Sequence, residues 1–164
     1  MQILLPYELV QKLITALKKA GSREIGGILM GEYIADDVYR VKDLTIQNHG
    51  GTSASFVRAI QEIVNPLKHF FRKTDYDFTR FNYLGEWHSH PHFTTEPSYI
   101  DNKTMWELVE DPQVGANFAI LLIVRLDNMG ELEGTTTIYL PGKQSLKCEL
   151  IKEVSLVCDK TTSS

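Results

Sequence analysis

Three of the chain's five histidines fall in the run His88-Ser89-His90-Pro91-His92, the densest group of metal-ligating side chains in the sequence. Read as a strand, Gly85 to His90 places alternate side chains on one face, so His88 and His90 project together. Two imidazoles side by side make half of a zinc site, although an isolated His-x-His is equally well explained as the polar face of an edge strand. Pro91 has no N–H for a sheet ladder, so the strand should stop there and leave the pair at a sheet end where loops converge. Further on, Ser98-Tyr99-Ile100-Asp101 precedes Met105, Trp106, Leu108 and Val109 with the pattern of a helix start. Ser-x-x-Asp also has the form of a capping box, which alone would account for both residues. An acidic side chain in the first turn of a helix that follows the His-x-His strand can nevertheless reach back to that strand's end, which makes Asp101 a candidate third ligand. Three protein ligands with the fourth position left to water is the pattern of catalytic zinc, which lowers the water's pKa to about 7.

Such a water needs a proton acceptor that is near the metal but not bound to it. Glu24, Glu32, Glu86 and Glu96 are the candidates. Glu86 shares the face of His88 and His90, with a salt bridge as its plainer role. Glu24 opens the run Ile25-Gly26-Gly27-Ile28-Leu29-Met30-Gly31, whose glycines would admit a close neighbour. Residue chemistry alone leaves that choice open. His92, beyond the proline, reads as a loop residue, and His49 and His69 as surface or packing residues.

The elements that must hold these groups follow from hydrophobic periodicity. A strand at Gln2–Leu5 precedes a helix beginning at Pro6, with Leu9, Val10, Leu13, Ile14 and Leu17 on one face and Lys18-Lys19-Ala20-Gly21 at its end. A hairpin is expected from Ile25–Ala35 and Val38–Gln47 about the turn Asp36-Asp37. His49 to Ser55 reads as a loop, followed by a helical pattern through Phe56, Ile60, Ile63, Val64, Leu67, Phe70 and Phe71 that Pro66 should kink or split. A strand at Phe81–His90, a helix at about Ser98–Glu110, and strands near Asn117–Leu126, Glu131–Leu140 and Ser145–Val157 complete the chain. The expected class is α/β or α+β: a mixed, mostly antiparallel sheet flanked by helices.

At 43% hydrophobic and 23% charged residues, 164 residues suit one globular domain, expected over 1–158 with a flexible tail at 159–164. A net charge of −4 gives no basic excess for nucleic acid or an anionic membrane. The longest apolar run, Phe118–Val124, falls far short of the ~20 residues of a membrane span. The N-terminus lacks the pattern of a secretory signal, so the expected compartment is the cytoplasm. Cys148 and Cys158 have neither staple nor cysteine-zinc spacing and are expected to be reduced structural thiols.

Taken in order, Glu24-Ile25-Gly26-Gly27-Ile28-Leu29-Met30-Gly31, then His88-Ser89-His90-Pro91, then Ser98 and Asp101 resemble the JAMM (MPN-plus, JAB) metalloprotease signature over nearly the whole chain. The resemblance implies a cytidine-deaminase-like sandwich and one zinc ion per chain, bound by His88, His90 and Asp101. It assigns Glu24 as general base and proton shuttle, and Ser98 as a hydrogen-bond donor to the catalytic water or oxyanion. The implied reaction is peptide or isopeptide cleavage after the C-terminal glycine of a ubiquitin-like or conjugated protein. Compactness and the Glu86-Trp87-His88 context resemble bacterial stand-alone members, including those of antiphage operons that also encode ubiquitin-activating (E1-like) and conjugating (E2-like) relatives. Release of a sulfur-carrier protein is the alternative pathway. The stretch from His49 to Arg80 is where a substrate-guiding element would sit, or simply a helix packed on the sheet. Metallo-β-lactamase-like hydrolases share His-x-His but continue with His-x-Asp-His, which Pro91-His92-Phe93 does not match. RadC-type DNA-associated relatives fit poorly with an acidic chain, and retention of all five signature residues argues against a metal-free scaffold.

Overall fold

The computed structural model describes residues 1–47 and 60–155. Its elements are β1 (Gln2–Leu5), α1 (Tyr7–Ala20), β2 (Gly26–Ala35), β3 (Val38–Leu44), α2 (Ile60–Lys73), β4 (Phe81–Ser89), α3 (Tyr99–Glu110), β5 (Ala119–Leu126), β6 (Leu132–Leu140) and β7 (Gln144–Lys152). The expected loop at His49–Ser55, the helix start at Phe56, Cys158, the far end of the last strand and the tail 159–164 lie outside the described residues.

The strands run in the order β1-β3-β2-β4-β5-β6-β7, and β1 also pairs with β7, so the sheet closes on itself. Pairing is antiparallel at β2–β3, β2–β4, β5–β6 and β6–β7, and parallel at β1–β3, β1–β7 and β4–β5. This is the mixed, mostly antiparallel α+β architecture expected from the sequence. Closure depends on one short strand bonding both Val38–Arg40 and Glu149–Lys152, far apart along the chain.

Inside the curve lies α1. Pro6 stands one residue before its first turn with φ −57°, and Gly21 ends it with φ 62°, a left-handed value that favours glycine. Val10, Leu13, Ile14 and Leu17 pack with Ile3, Leu29, Trp87, Ile120 and Leu122 of the strands. Each fully buried side chain of this size contributes roughly 1.5–3 kcal/mol. On the outer face, Phe70 of α2 meets Ile28 and Met30 of β2, with Ile63, Leu67 and Phe71 beside it. Met105 and Val109 of α3 cover Ala119, Leu121, Ile123 and Tyr139. The helix α2 runs unbroken through Pro66. Proline costs about 3 kcal/mol in a helix interior, and the apolar face of α2 packed on the sheet offsets it.

Two glycines are required by the sheet itself. Gly85 has φ 144° beside a register shift at Leu29/Met30, where Leu29 pairs with Gly85 and Met30 with Tyr83. That bulge rephases β4, so Leu84 and Trp87 both enter the inner core. A Cβ on Gly27 would lie 2.0 Å from the carbonyl oxygen of Thr45. The close neighbour anticipated for the β2 glycines is therefore the chain's own next strand.

Candidate metal centre

The outer face of β4 ends in His88 and His90. Trp87, between them and Glu86, points inward and is completely buried, its indole N–H donating to the carbonyl of Thr45 at 2.8 Å. Ser89 also belongs to the structural side: its backbone N–H donates to the carbonyl of Ile25 at 2.8 Å, and its Oγ accepts from the N–H of Ile25 at 3.0 Å. These bonds zip the start of β2 to the end of β4 and fix the strand phase, so His88 and His90 share the other face as expected. His90 lies just past the strand, its N–H donating to the carbonyl of Val124 at 2.9 Å.

His88, His90 and Asp101 are all buried and come together, their ligand atoms lying within 4.8 Å of one another. The two Nε2 atoms are 3.0 Å apart. Asp101 Oδ1 is 3.4 Å from His88 Nε2, and Oδ2 is 3.7 Å from His90 Nε2. His90 Nδ1 lies 2.8 Å from the carbonyl of Thr94, which can only accept, so Nδ1 carries the proton and Nε2 presents its lone pair to the cluster. Burial, opposed by the Asp101 charge and reinforced by His90, pushes the His88 pKa down to about 4, so its imidazole is neutral at physiological pH. Among the described residues the only basic side chains within ion-pair distance of Asp101 are these two imidazoles. Two imidazole nitrogens, a carboxylate and, among the described residues, no Lys or Arg paired with it make a donor set suited to zinc.

Ser98 and Asp101 form the expected capping box at the start of α3. The Ser98 N–H donates to Asp101 Oδ2 at 2.7 Å, and the Asp101 N–H donates to Ser98 Oγ at 3.2 Å. The cap leaves Oδ1 facing His88, and it leaves the Ser98 hydroxyl proton free because Oγ only accepts within the box.

The four carboxylate candidates separate clearly. Glu32 is taken up by Arg80 and Lys42 at the other end of β2, and exposed Glu96 pairs with Lys147 at 2.6 Å. Glu86 sits two residues before His88, 7% exposed, and burial lifts its pKa to about 7. Glu24 is half-buried two residues before β2. The antiparallel register pairs Gly26 with His88, and reciprocal bonds join Ile25 to Ser89. Glu24 directly precedes that paired stretch, at the end of β2 that lies beside the histidines. His92 is exposed and outside the cluster, while His69, exposed on α2, has its Nδ1 3.1 Å from Arg72. Cys148 is a free thiol whose pKa burial raises.

Three contacts that the sequence did not reveal pin the ligand-bearing segment to the outer face of β5 and β6. Arg125 donates to the carbonyl of Phe93 at 3.1 Å, Thr135 to that of Thr95, and Tyr139 to the side chain of Asn102 at 2.7 Å. Their only sequence signal is polarity at outward positions of otherwise apolar strands.

A family model for prokaryotic homologs of the JAB domain matches residues 6–137, and the chain belongs to that family. A CD-NTase/cGAS isopeptidase from Enterobacter hormaechei is 27% identical over 148 residues, covering 88% of this chain and 79% of that protein. A solution structure of a Desulfitobacterium hafniense protein has the same fold, with TM-score 0.67 at 20% identity over 94% of this chain and 95% of its own. A JAB1/MPN domain protein from Archaeoglobus fulgidus aligns at 16% identity with TM-score 0.46, covering 92% of this chain and 99% of its own. Among the described residues no helix is long and apolar enough to cross a membrane.

Proposed function

We propose that this protein is a zinc-dependent isopeptidase or peptidase that removes a protein from the C-terminal glycine of a conjugated or ubiquitin-like partner in bacterial antiphage defence. The observation that carries this reading is the buried His88, His90 and Asp101 cluster, with no Lys or Arg paired to it among the described residues. It stands beside a free Ser98 hydroxyl in a chain of the JAB family. The defence setting is supported by the likeness to a CD-NTase/cGAS isopeptidase.

An amide is a poor electrophile and an amine a poor leaving group. His88, His90 and Asp101 would hold zinc, which when bound would supply Lewis acidity and make hydroxide available near neutral pH. Glu24 takes the proton of the attacking water and returns it to the departing nitrogen, the two-way role of a general base and acid. Ser98 donates its hydroxyl proton to the carbonyl oxygen as negative charge develops there. The Thr94 carbonyl holds the His90 tautomer throughout.

The test uses a CD-NTase fused through its C-terminus to a reporter protein. The account expects cleavage by zinc-loaded protein, loss with a chelator, and no cleavage by a Glu24→Gln variant that still holds zinc. Cleavage that survives complete zinc removal would contradict it. Cleavage of a sulfur-carrier fusion in place of the CD-NTase fusion would move the chain to the biosynthetic branch.

A further inference from the structure

The contacts that orient Ser98 and Asp101 do not end within α3. Tyr139 of β6 is completely buried, and its hydroxyl donates to Asn102 Oδ1 at 2.7 Å. The Asn102 side-chain N–H donates in turn to the carbonyl of Ser98 at 2.9 Å. That carbonyl also accepts the backbone N–H of Asn102 at 3.0 Å. From Ser98 the chain continues through the reciprocal bonds of 2.7 and 3.2 Å to Asp101.

Helix capping does not require this extension, because the capping box is complete with the reciprocal bonds of the Ser98 and Asp101 N–H groups. Nor does packing. The Tyr139 ring stacks edge-on to Trp106 at 5.9 Å and joins the apolar cluster with Met105 and Leu121, roles a phenylalanine would fill. Burying a hydroxyl without a partner is unfavourable, so a tyrosine here is specified by its acceptor. Burial and the Asp101 charge hold its pKa far above the ordinary value, so it is always a donor.

What the bond adds is a tie between α3 and the sheet. The helix fully buries only Asp101, Met105 and Val109, with Trp106 and Leu108 partly covered, and its bonds from Trp106 to the Gln144 carbonyl at 3.4 Å and from the Gly142 N–H to Glu110 at 2.6 Å lie beyond the first turn, where the Tyr139–Asn102 bond acts. By contrast, His88 belongs to β4 and His90 directly follows it, and β4 is joined to β6 through β5 by the pairs His88–Ile123 and Ile123–Thr135. We propose that Tyr139, acting through Asn102, is a positioning residue that sets the rotation of the first turn of α3, so that the Asp101 carboxylate meets His88 and His90 and the Ser98 hydroxyl faces the same point. This rests on the reading of the cluster as a metal centre.

The experiment titrates metal-free protein with cobalt(II), following the visible absorption of the bound ion, and compares wild type, Tyr139→Phe, Asn102→Ala and the double variant. Cleavage of the CD-NTase fusion is measured in parallel. Loss of such outer contacts lowers metal affinity or activity about 10- to 100-fold. The expected result is weaker cobalt binding with an altered spectrum in either single variant, a fall in kcat at nearly constant KM, and a double variant no worse than the singles. If Tyr139→Phe fails to fold, Asn102→Ala, at a half-buried position, carries the same test. Unchanged cobalt affinity, spectrum and kcat in a folded single variant would overturn the inference, as would additive losses in the double variant. Failure of the wild type itself to bind cobalt would instead overturn the metal-centre reading.

Discussion

Glu32 and Asp101 are both buried carboxylates, 3% and 5% exposed, near opposite ends of the paired strands β2 and β4. Their surroundings differ in one respect. Glu32 accepts from Arg80 Nε at 2.7 Å and lies 3.6 Å from Lys42 Nζ. Asp101 has the backbone N–H of Ser98 and two imidazoles, one of them held neutral by burial. A buried carboxylate carries a desolvation penalty of several kcal/mol unless a cation answers it. At the Glu32 end the fold supplies that cation itself. At the Asp101 end the described residues supply no Lys or Arg, and on the proposed reading the counter-charge comes from a bound metal. Burial of an acid is thus shared by a structural and a functional region, and the source of the counter-charge separates them.

The largest effect expected from that contrast follows His90→Ala or Asp101→Asn. Each should abolish cleavage to background and prevent zinc retention, read by turnover and metal analysis, whereas Glu32→Gln should leave both unchanged. Glu24→Gln should keep zinc and lower kcat by about 10²–10⁴-fold, the usual contribution of a general acid–base group; full activity would transfer the role to Glu86. Ser98→Ala should lower kcat by about 10²–10³-fold if the hydroxyl serves the developing oxyanion. It should also cost about 1 kcal/mol of stability through the lost cap, measured by denaturant unfolding.

The smallest effects are on stability. Glu32→Gln should destabilise by roughly 1–3 kcal/mol through loss of its charge-assisted bonds. Glu86 behaves oppositely, because its pKa is raised from 4.5 to about 7 by burial alone. Between those values the unfolded chain has lost the proton that the folded chain keeps, so this contribution is complete below about pH 4.5 and is lost as pH rises to about 7. The depressed His88 pKa gives the opposite slope below pH 6.5. The difference between wild type and Glu86→Gln in chelator-treated protein therefore isolates Glu86. The variant should be relatively more stable at pH 8 than at pH 5, by up to about 3 kcal/mol. A pH-independent difference would refute the assignment.

What was legible in the sequence was local. Period-two alternation placed His88 and His90 on one face, and three-residue capping geometry placed Ser98 beside Asp101. The strands near Asn117 and Glu131 and the helix after Pro6 followed from short-range periodicity. What was not legible depends on distant partners. The two partners of β1 close the sheet, and the Leu84–Gly85 bulge rephases β4 to put Trp87 in the core. The pins from Arg125, Thr135 and Tyr139 reach segments at sequence separations of 32 to 40 residues. Pro66 shows the same limit from the other side: of the kink or split that the chain-local rule expects, the split does not occur, and one helix packed on Ile28 and Met30 runs from Ile60 to Lys73.

The most direct measurement is the metal content of protein purified without added metal and re-equilibrated with zinc, for wild type, Asp101→Asn and Glu32→Gln side by side. Three buried donors at one point predict about one tightly held zinc ion per chain in wild type and in Glu32→Gln, and none in Asp101→Asn. A wild type that holds no zinc, or an Asp101→Asn variant that holds it as firmly, would contradict the account.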